Sequence, residues 1–139
     1  MHRSIITRLR DKGYRITPAR KTMTETVLKM KKPFSALEMH ALLKKRGFTI
    51  NTVTVYRELQ FLEKEGIIQG TKFQDGTKRF CLASNGHHHH LICTNCNDVA
   101  DVDMPCTNLH AMEKQLAKKS NFTIKSHSLE FYGLCARCA

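Results

Sequence analysis

Two Cys-x-x-Cys pairs, Cys93/Cys96 and Cys135/Cys138, separated by 38 residues, constrain this chain more than any other feature. Each pair forms a tight knuckle, and two knuckles close a tetrahedron around a borderline cation such as Zn²⁺. A structural Cys₄ site of this kind pins the C-terminal segment against the strand that carries the first pair. It staples a region too small to hold itself by core burial. The chain has 139 residues, enough for one ordinary domain or two small ones. Six cysteines with no apolar leader at the N-terminus point to a reducing, cytoplasmic setting and to metal before disulfides. A single Cys-x-x-Cys can also serve redox chemistry, but that use needs only one pair.

The first knuckle is preceded by His87-His88-His89-His90-Leu91-Ile92. If this run is extended, side chains alternate, so His88 and His90 face one side and His87 and His89 the other. One run then feeds two separate sites. Cys81 is close enough in sequence to join His88 and His90 on one ion; its alternative is a small buried apolar residue. His110 and His127 could complete a second site begun by His87 and His89, although single histidines are often only structural. Cys106 has no evident role beyond packing.

The chain carries 23 Lys/Arg and 12 Asp/Glu, a formal net charge of +11. The excess is confined: residues 1–82 hold 18 basic and 7 acidic side chains, and residues 83–139 hold five of each. A basic first part joined to a neutral, metal-rich second part suggests a polyanion-binding module governed by a metal-binding one. No apolar run reaches the length needed to span a bilayer.

In chain order, Ile5, Ile6 and Leu9 mark a first helix over 4–12, with Gly13 as its stop. Thr17-Pro18 opens a second helix, as a cap followed by a proline suited to the first turn. Ser35 and Glu38 form a capping box for a third. Asn51 caps a fourth over 52–65, in which Val55, Leu59 and Leu62 face a core while Thr52, Tyr56 and Arg57 point away. Residues 67–73 and 78–82 read as strands around the Asp75-Gly76 turn. Helices followed by a hairpin make a winged helix-turn-helix, whose last helix enters the major groove. Tyr56 and Arg57 could be ordinary surface residues, but the nearby positive charge favours Arg57 as a base or phosphate contact and Tyr56 as a contact to a thymine methyl. Arg15 could reach a minor groove or equally stay solvated. Lys72, Lys78 and Arg79 would place the wing on phosphates. Ala83-Ser84-Asn85-Gly86 is the hinge. Beyond it we expect strands over 89–92 and 99–103, a helix over 108–119 and a strand over 123–132.

These motifs resemble the ferric uptake regulator family of bacterial metal sensors. The resemblance is carried by Gly13-Tyr14-Arg15-Ile16-Thr17-Pro18-Ala19-Arg20, Thr54-Val55-Tyr56-Arg57, His87 to Cys93 with Cys96, His127-Ser128-Leu129 and Tyr132 to Cys138. It implies an α+β chain: a winged-helix DNA-binding domain over 1–82, a hinge over 83–86 and a small α/β metal-binding dimerisation domain over 87–139. It also implies a cytoplasmic homodimer on an inverted-repeat operator in double-stranded DNA, with no membrane and no small organic substrate. Cys93, Cys96, Cys135 and Cys138 match the structural zinc ligands, and Cys81, His88 and His90 the sensing ligands. His87, His89, His110 and His127 match a further site, and Arg15, Thr52, Tyr56 and Arg57 the DNA-contacting positions. Asp101, used in relatives, is the substitute for a fourth sensing ligand, since the hinge position near Gln69 offers a poor one.

Iron-sensing members usually have a carboxylate where this chain has Cys81 and a histidine near Pro33 where it has none. They often have Asp where it has His89 and Glu where it has His110. Each difference exchanges hard oxygen for softer donors and so favours Zn²⁺ over Fe²⁺ or Mn²⁺. A cysteine at position 81 resembles the zinc-uptake regulator branch; the peroxide-sensing branch would place Asp there. The expectation is a zinc-responsive repressor of metal-uptake genes, with Zn²⁺ as corepressor and one structural plus one or two regulatory ions per protomer. An iron- or manganese-responsive regulator is the alternative within the family. A zinc hydrolase would need a His-Glu-x-x-His or similar motif, which is missing, and a zinc store would leave the basic part idle.

Overall fold

The structure, a computed structural model, describes residues 4–83, 88–102 and 104–139, and the chain divides into two compact units, Met1–Gly86 and His87–Ala139. Each is described by itself.

The first unit contains α1 (Ile5–Asp11), α2 (Pro18–Leu28), β1 (Phe34–Ser35), α3 (Ala36–Lys45), α4 (Thr52–Lys64), β2 (Ile68–Lys72) and β3 (Lys78–Leu82). The expected caps set the helix starts. The Thr17 hydroxyl accepts from the Arg20 N–H at 3.1 Å, and Asn51 Oδ1 accepts from Thr54 N–H at 2.8 Å. Ser35 and Glu38 make both bonds of a capping box. Leu9, Met23, Val27, Met39, Leu43, Val55, Leu59 and Leu62 interlock as the core, each 2% exposed or less. Burying each such side chain contributes about 1.5–3 kcal/mol. The hairpin β2–β3 is joined by β1 on its other edge, Phe34 pairing with Phe80. The two-residue β1 was not foreseen, because its partner lies 46 positions along the chain.

Polar clasps fix the helices around that core. Arg20 on α2 reaches Glu58 on α4 at 3.0 Å and lies 3.7 Å over the Phe61 ring. Tyr14 donates a short hydrogen bond to Glu65, which also receives Lys12 at 2.9 Å. The Lys78 ammonium meets Glu63 at 2.8 Å and so ties the wing to α4. Arg79 forms a two-pronged pair with Asp75 at 3.1 and 2.9 Å, across the Gly76 turn where φ is +81°. Of the wing cations, Lys78 and Arg79 are therefore held by carboxylates, and Lys72 is exposed.

The second unit contains β4 (His89–Cys93), β5 (Val99–Val102), α5 (Thr107–Ser120) and β6 (Glu130–Gly133), in sheet order β5-β4-β6. β4 runs antiparallel to β5 and parallel to β6, so the chain must cross over between β4 and β6, and α5 lies in that crossover. The strand expected over 123–132 is corrected: only Glu130–Gly133 joins the ladder. Parallel pairing sets His90 against Glu130. Residues 123–128 would therefore run beyond the start of β4, where the described chain supplies no ladder partner. His127 thus precedes a strand instead of sitting inside one. Among the described residues, no helix is long and apolar enough to cross a membrane.

Candidate metal centres

The turn between β4 and β5 builds the first knuckle. Asn97 adopts a left-handed conformation at φ 60°, its N–H donating to Cys93 O at 2.9 Å. Thr94 N–H donates to Gly133 O at 2.8 Å, which brings the second knuckle alongside. The sulfurs of Cys93, Cys96, Cys135 and Cys138 all lie within 4.8 Å of one another, and Cys96 and Cys135 are 3.7 Å apart. A tetrahedron with metal–sulfur bonds of about 2.3 Å has edges of roughly 3.8 Å, so the spacing fits Zn²⁺.

Second-layer donors favour thiolates. Cys135 N–H points at Cys93 Sγ over 3.4 Å, and the Asn95 amide donates to Cys138 Sγ at 3.3 Å. Hydrogen bonds from the backbone of Cys96 and Cys135 bring the Cys93 thiol down to about 6. Burial pushes Cys135 up, but bonds from Cys138 and from the backbone of Arg137 outweigh it and leave the thiol below its ordinary value. Cys96 is pushed up to about 11: the Asp98 N–H favours its thiolate, but Cys93, burial and the other two thiols hold its proton. Four sulfurs this close need a cation to ionise together.

On one side of β4, His88 and His90 stand edge to face, ring centroids 4.8 Å apart. Asp101 on β5, opposite His90 in the register, brings Oδ1 to 3.5 Å from His90 Nε2 and 3.9 Å from His88 Nε2. Burial, with His88 next, holds the His90 imidazole below its ordinary value and so keeps it neutral, the form that binds metal. Cys81 belongs to the first unit, on β3 opposite Gln69, whose carbonyl lies 3.9 Å from its sulfur.

On the other side of β4, His89 is buried and stacks on His127 at 5.5 Å between centroids. The Cys106 sulfur lies 3.0 Å from His89 Nε2, and His127 Nδ1 makes a short contact with Glu113. His110 is exposed, its ring 6.2 Å from that of His127. His87 lies outside the described residues. Sequence reading missed Cys106 and Glu113 here. Both face the same way as His110, at helical spacing along 106, 110 and 113, which is the signal that would have found them.

In the first unit, α4 shows an outward face of Thr52, Val53, Tyr56, Arg57 and Gln60 lining one shallow depression. Tyr56 is 46% exposed and Val53 64% exposed, against complete burial of Val55 and Leu59 on the inner face. Arg15 is exposed, its carbonyl accepting from Arg20 at 3.0 Å.

The sequence profile of the ferric uptake regulator family matches residues 11–132. The chain belongs to the ferric uptake regulator family. The ferric uptake regulation protein of Bacillus subtilis is 31% identical over 134 residues, covering 94% of this chain and 89% of that protein. The solved ferric uptake regulator of Vibrio cholerae is 31% identical with a TM-score of 0.77, covering 95% and 100%. A zinc-bound manganese uptake regulator is 26% identical with a TM-score of 0.71, covering 95% and 99%. As a family member the chain is a metal-responsive transcription regulator and not an enzyme. Its fold is an N-terminal DNA-binding domain followed by a small α/β dimerisation domain, and the family consists of dimeric DNA-binding regulators.

Proposed function

We propose that the protein is a zinc-responsive repressor of metal-uptake genes, acting in the cytoplasm as a homodimer on an inverted-repeat operator. Residues 1–82 are the DNA-reading domain, 83–86 the hinge and 87–139 the dimerisation domain. The observation that carries the reading is the convergence of His88, His90 and Asp101, with Asp101 Oδ1 3.5 Å from His90 Nε2. Two imidazoles and one carboxylate need one more soft donor to suit Zn²⁺, and Cys81 is the thiol that precedes His88 by seven residues. Cys93, Cys96, Cys135 and Cys138 hold the structural zinc. His87, His89, His110 and His127 contribute to a further site.

The switch is a linkage. An ion held by Cys81 at the end of the wing and by His88, His90 and Asp101 beyond the hinge favours one posture of the DNA-reading domains. Zinc that prefers that posture is in turn held more tightly when operator DNA is bound. Both recognition helices then sit about one DNA turn apart. Tyr56 and Arg57 read base edges and phosphates, with Thr52 and Arg15 beside them.

An iron- or manganese-responsive regulator is the second reading. It draws on the Asp101 oxygen, a hard donor, and on the ferric uptake regulation proteins among the relatives. Titrating operator binding with Zn²⁺, Fe²⁺ and Mn²⁺ in separate series decides between them. Cys81→Ala should keep the fold and the Cys₄ zinc while losing zinc-dependent operator binding. Operator affinity in that variant equal to wild type with zinc, and indifferent to added zinc, would overturn the role given to Cys81.

A further inference from the structure

The side of β4 away from His88 and His90 gathers three donors from three different elements. His89 on β4 is 1% exposed, and its Nε2 lies 3.0 Å from the Cys106 sulfur. His127, ahead of β6, stacks on His89 with 23° between ring planes. The donor atoms of His89, Cys106 and His127 all fall within 4.8 Å of one another.

We propose that Cys106 is a metal ligand, forming with His89 and His127 an exchangeable Zn²⁺ site that Glu113 braces. The inference rests on the zinc-responsive reading above and changes the ligand set of its further site: a thiolate enters where four histidines were expected. Three features support the thiol. First, Cys106 occupies the N-cap of α5, yet its side chain makes no capping hydrogen bond. Ser, Thr, Asp or Asn would serve the helix better there. Second, the sulfur is directed at His89, its other contact being the Met104 carbonyl at 3.8 Å. Third, the sulfur, the His89 ring and the His127 ring present their donor atoms within 4.8 Å of one another, close enough for one ion to reach all three.

Glu113 supplies the outer layer. It lies two turns along α5 from Cys106 and contacts His127 Nδ1. Accepting a hydrogen bond from Nδ1–H there leaves the lone pair on Nε2 and fixes the ring orientation, the arrangement common around zinc-bound histidines. Metal entry then forms one sulfur–metal bond and releases the thiol proton to solvent. Two nitrogens and one sulfur select Zn²⁺ over Mn²⁺ or Fe²⁺.

The test uses full-length protein with its Cys₄ zinc confirmed in place by native mass spectrometry, titrated with Co²⁺. Cys81→Ser removes the other thiol outside the knuckles, so a remaining thiolate-to-cobalt absorption band reports Cys106. The band should persist in Cys81→Ser and vanish in Cys81→Ser/Cys106→Ser. In Cys106→Ser alone, the exchangeable ion should bind at least about tenfold more weakly. Glu113→Gln should keep the band and weaken the ion by about 10–100-fold. A band lost in Cys81→Ser alone, an undiminished band in the double variant, or an exchangeable-metal count in Cys106→Ser equal to wild type would each overturn the proposal. His127→Gln offers the same reading, as weaker cobalt binding, if the serine variant misfolds. Failure of the Cys81 switch is read separately, from operator affinity, and leaves these metal counts unchanged.

Discussion

Glu58, 6% exposed on α4, holds Arg20 of α2 through two hydrogen bonds of 3.0 and 3.3 Å. The same guanidinium covers the Phe61 ring, so one side chain links charge pairing to packing. Arg20→Ala leaves a carboxylate with little access to water and no counter-charge. We predict a loss of about 3 kcal/mol in chemical denaturation of the first unit, because a widowed buried charge costs far more than an exposed one. Arg20→Met with Glu58→Leu should recover most of it. Equal midpoints for Arg20→Ala and wild type would refute the account.

Removing metal from the knuckles should unfold the second unit and spare the first. Among the described residues its own buried set is short: His89, His90, Ile92, Cys93 and Val99. A structural zinc ion commonly supplies about 10–16 kcal/mol, more than so small a core can provide. After strong chelation, amide exchange at Leu91 and Ile92 should become fast, while amides of Leu59 and Leu62 stay protected. Cys135→Ser should act in the same direction. Continued protection of β4 in the metal-free protein would contradict this.

The caps, the wing and the fourth helix were all legible in the chain, because each is written in neighbouring residues. Thr17-Pro18, Ser35 with Glu38, Asn51 and Asp75-Gly76 act within four positions. The alternation of His88 and His90 against His89 is equally local. What escaped notice depends on pairing between distant segments. β1 exists because Phe80 meets Phe34. Residues 123–129 lack a strand because the parallel register begins at Glu130. Cys106 and Glu113 share a helical spacing with His110, but only tertiary folding brings them to His89 and His127.

The outward face of α4 should govern operator binding. Arg57→Ala is expected to weaken the complex by about 1–3 kcal/mol. If Arg57 meets a phosphate, the salt dependence should flatten by about one counterion; if it meets a base, sequence preference should relax instead. Tyr56→Ala should relax preference without changing the salt slope. Gel-shift titrations at three salt concentrations separate these outcomes. Wild-type affinity in both variants would remove α4 as the recognition element.

Acid and alkali should act on the Tyr14–Glu65 pair in opposite windows. The Tyr14 hydroxyl and then Lys12 hold the Glu65 carboxyl below its ordinary range, so its contribution is present above that range and fades as pH falls through the lowered value. The same bond holds the Tyr14 phenol above its usual value, so its contribution is present at neutral pH and fades as alkali removes the proton. Tyr14→Phe should therefore be less stable than wild type near neutrality, with the gap narrowing at both extremes. Denaturant midpoints between pH 3 and pH 11 check this; a gap that stays constant would show that the bond contributes no linkage.

α5 has no fully buried residue: Leu109, Glu113 and Ala117 are half covered, while Met112 and Leu116 are more than half exposed. Such a helix obeys mass action. In the homodimer proposed above, a second chain would dry its apolar stripe, so completion of this half would be second order in concentration. Dilution should then act like a mild denaturant, and the number of molecules in a cell becomes a variable of the fold.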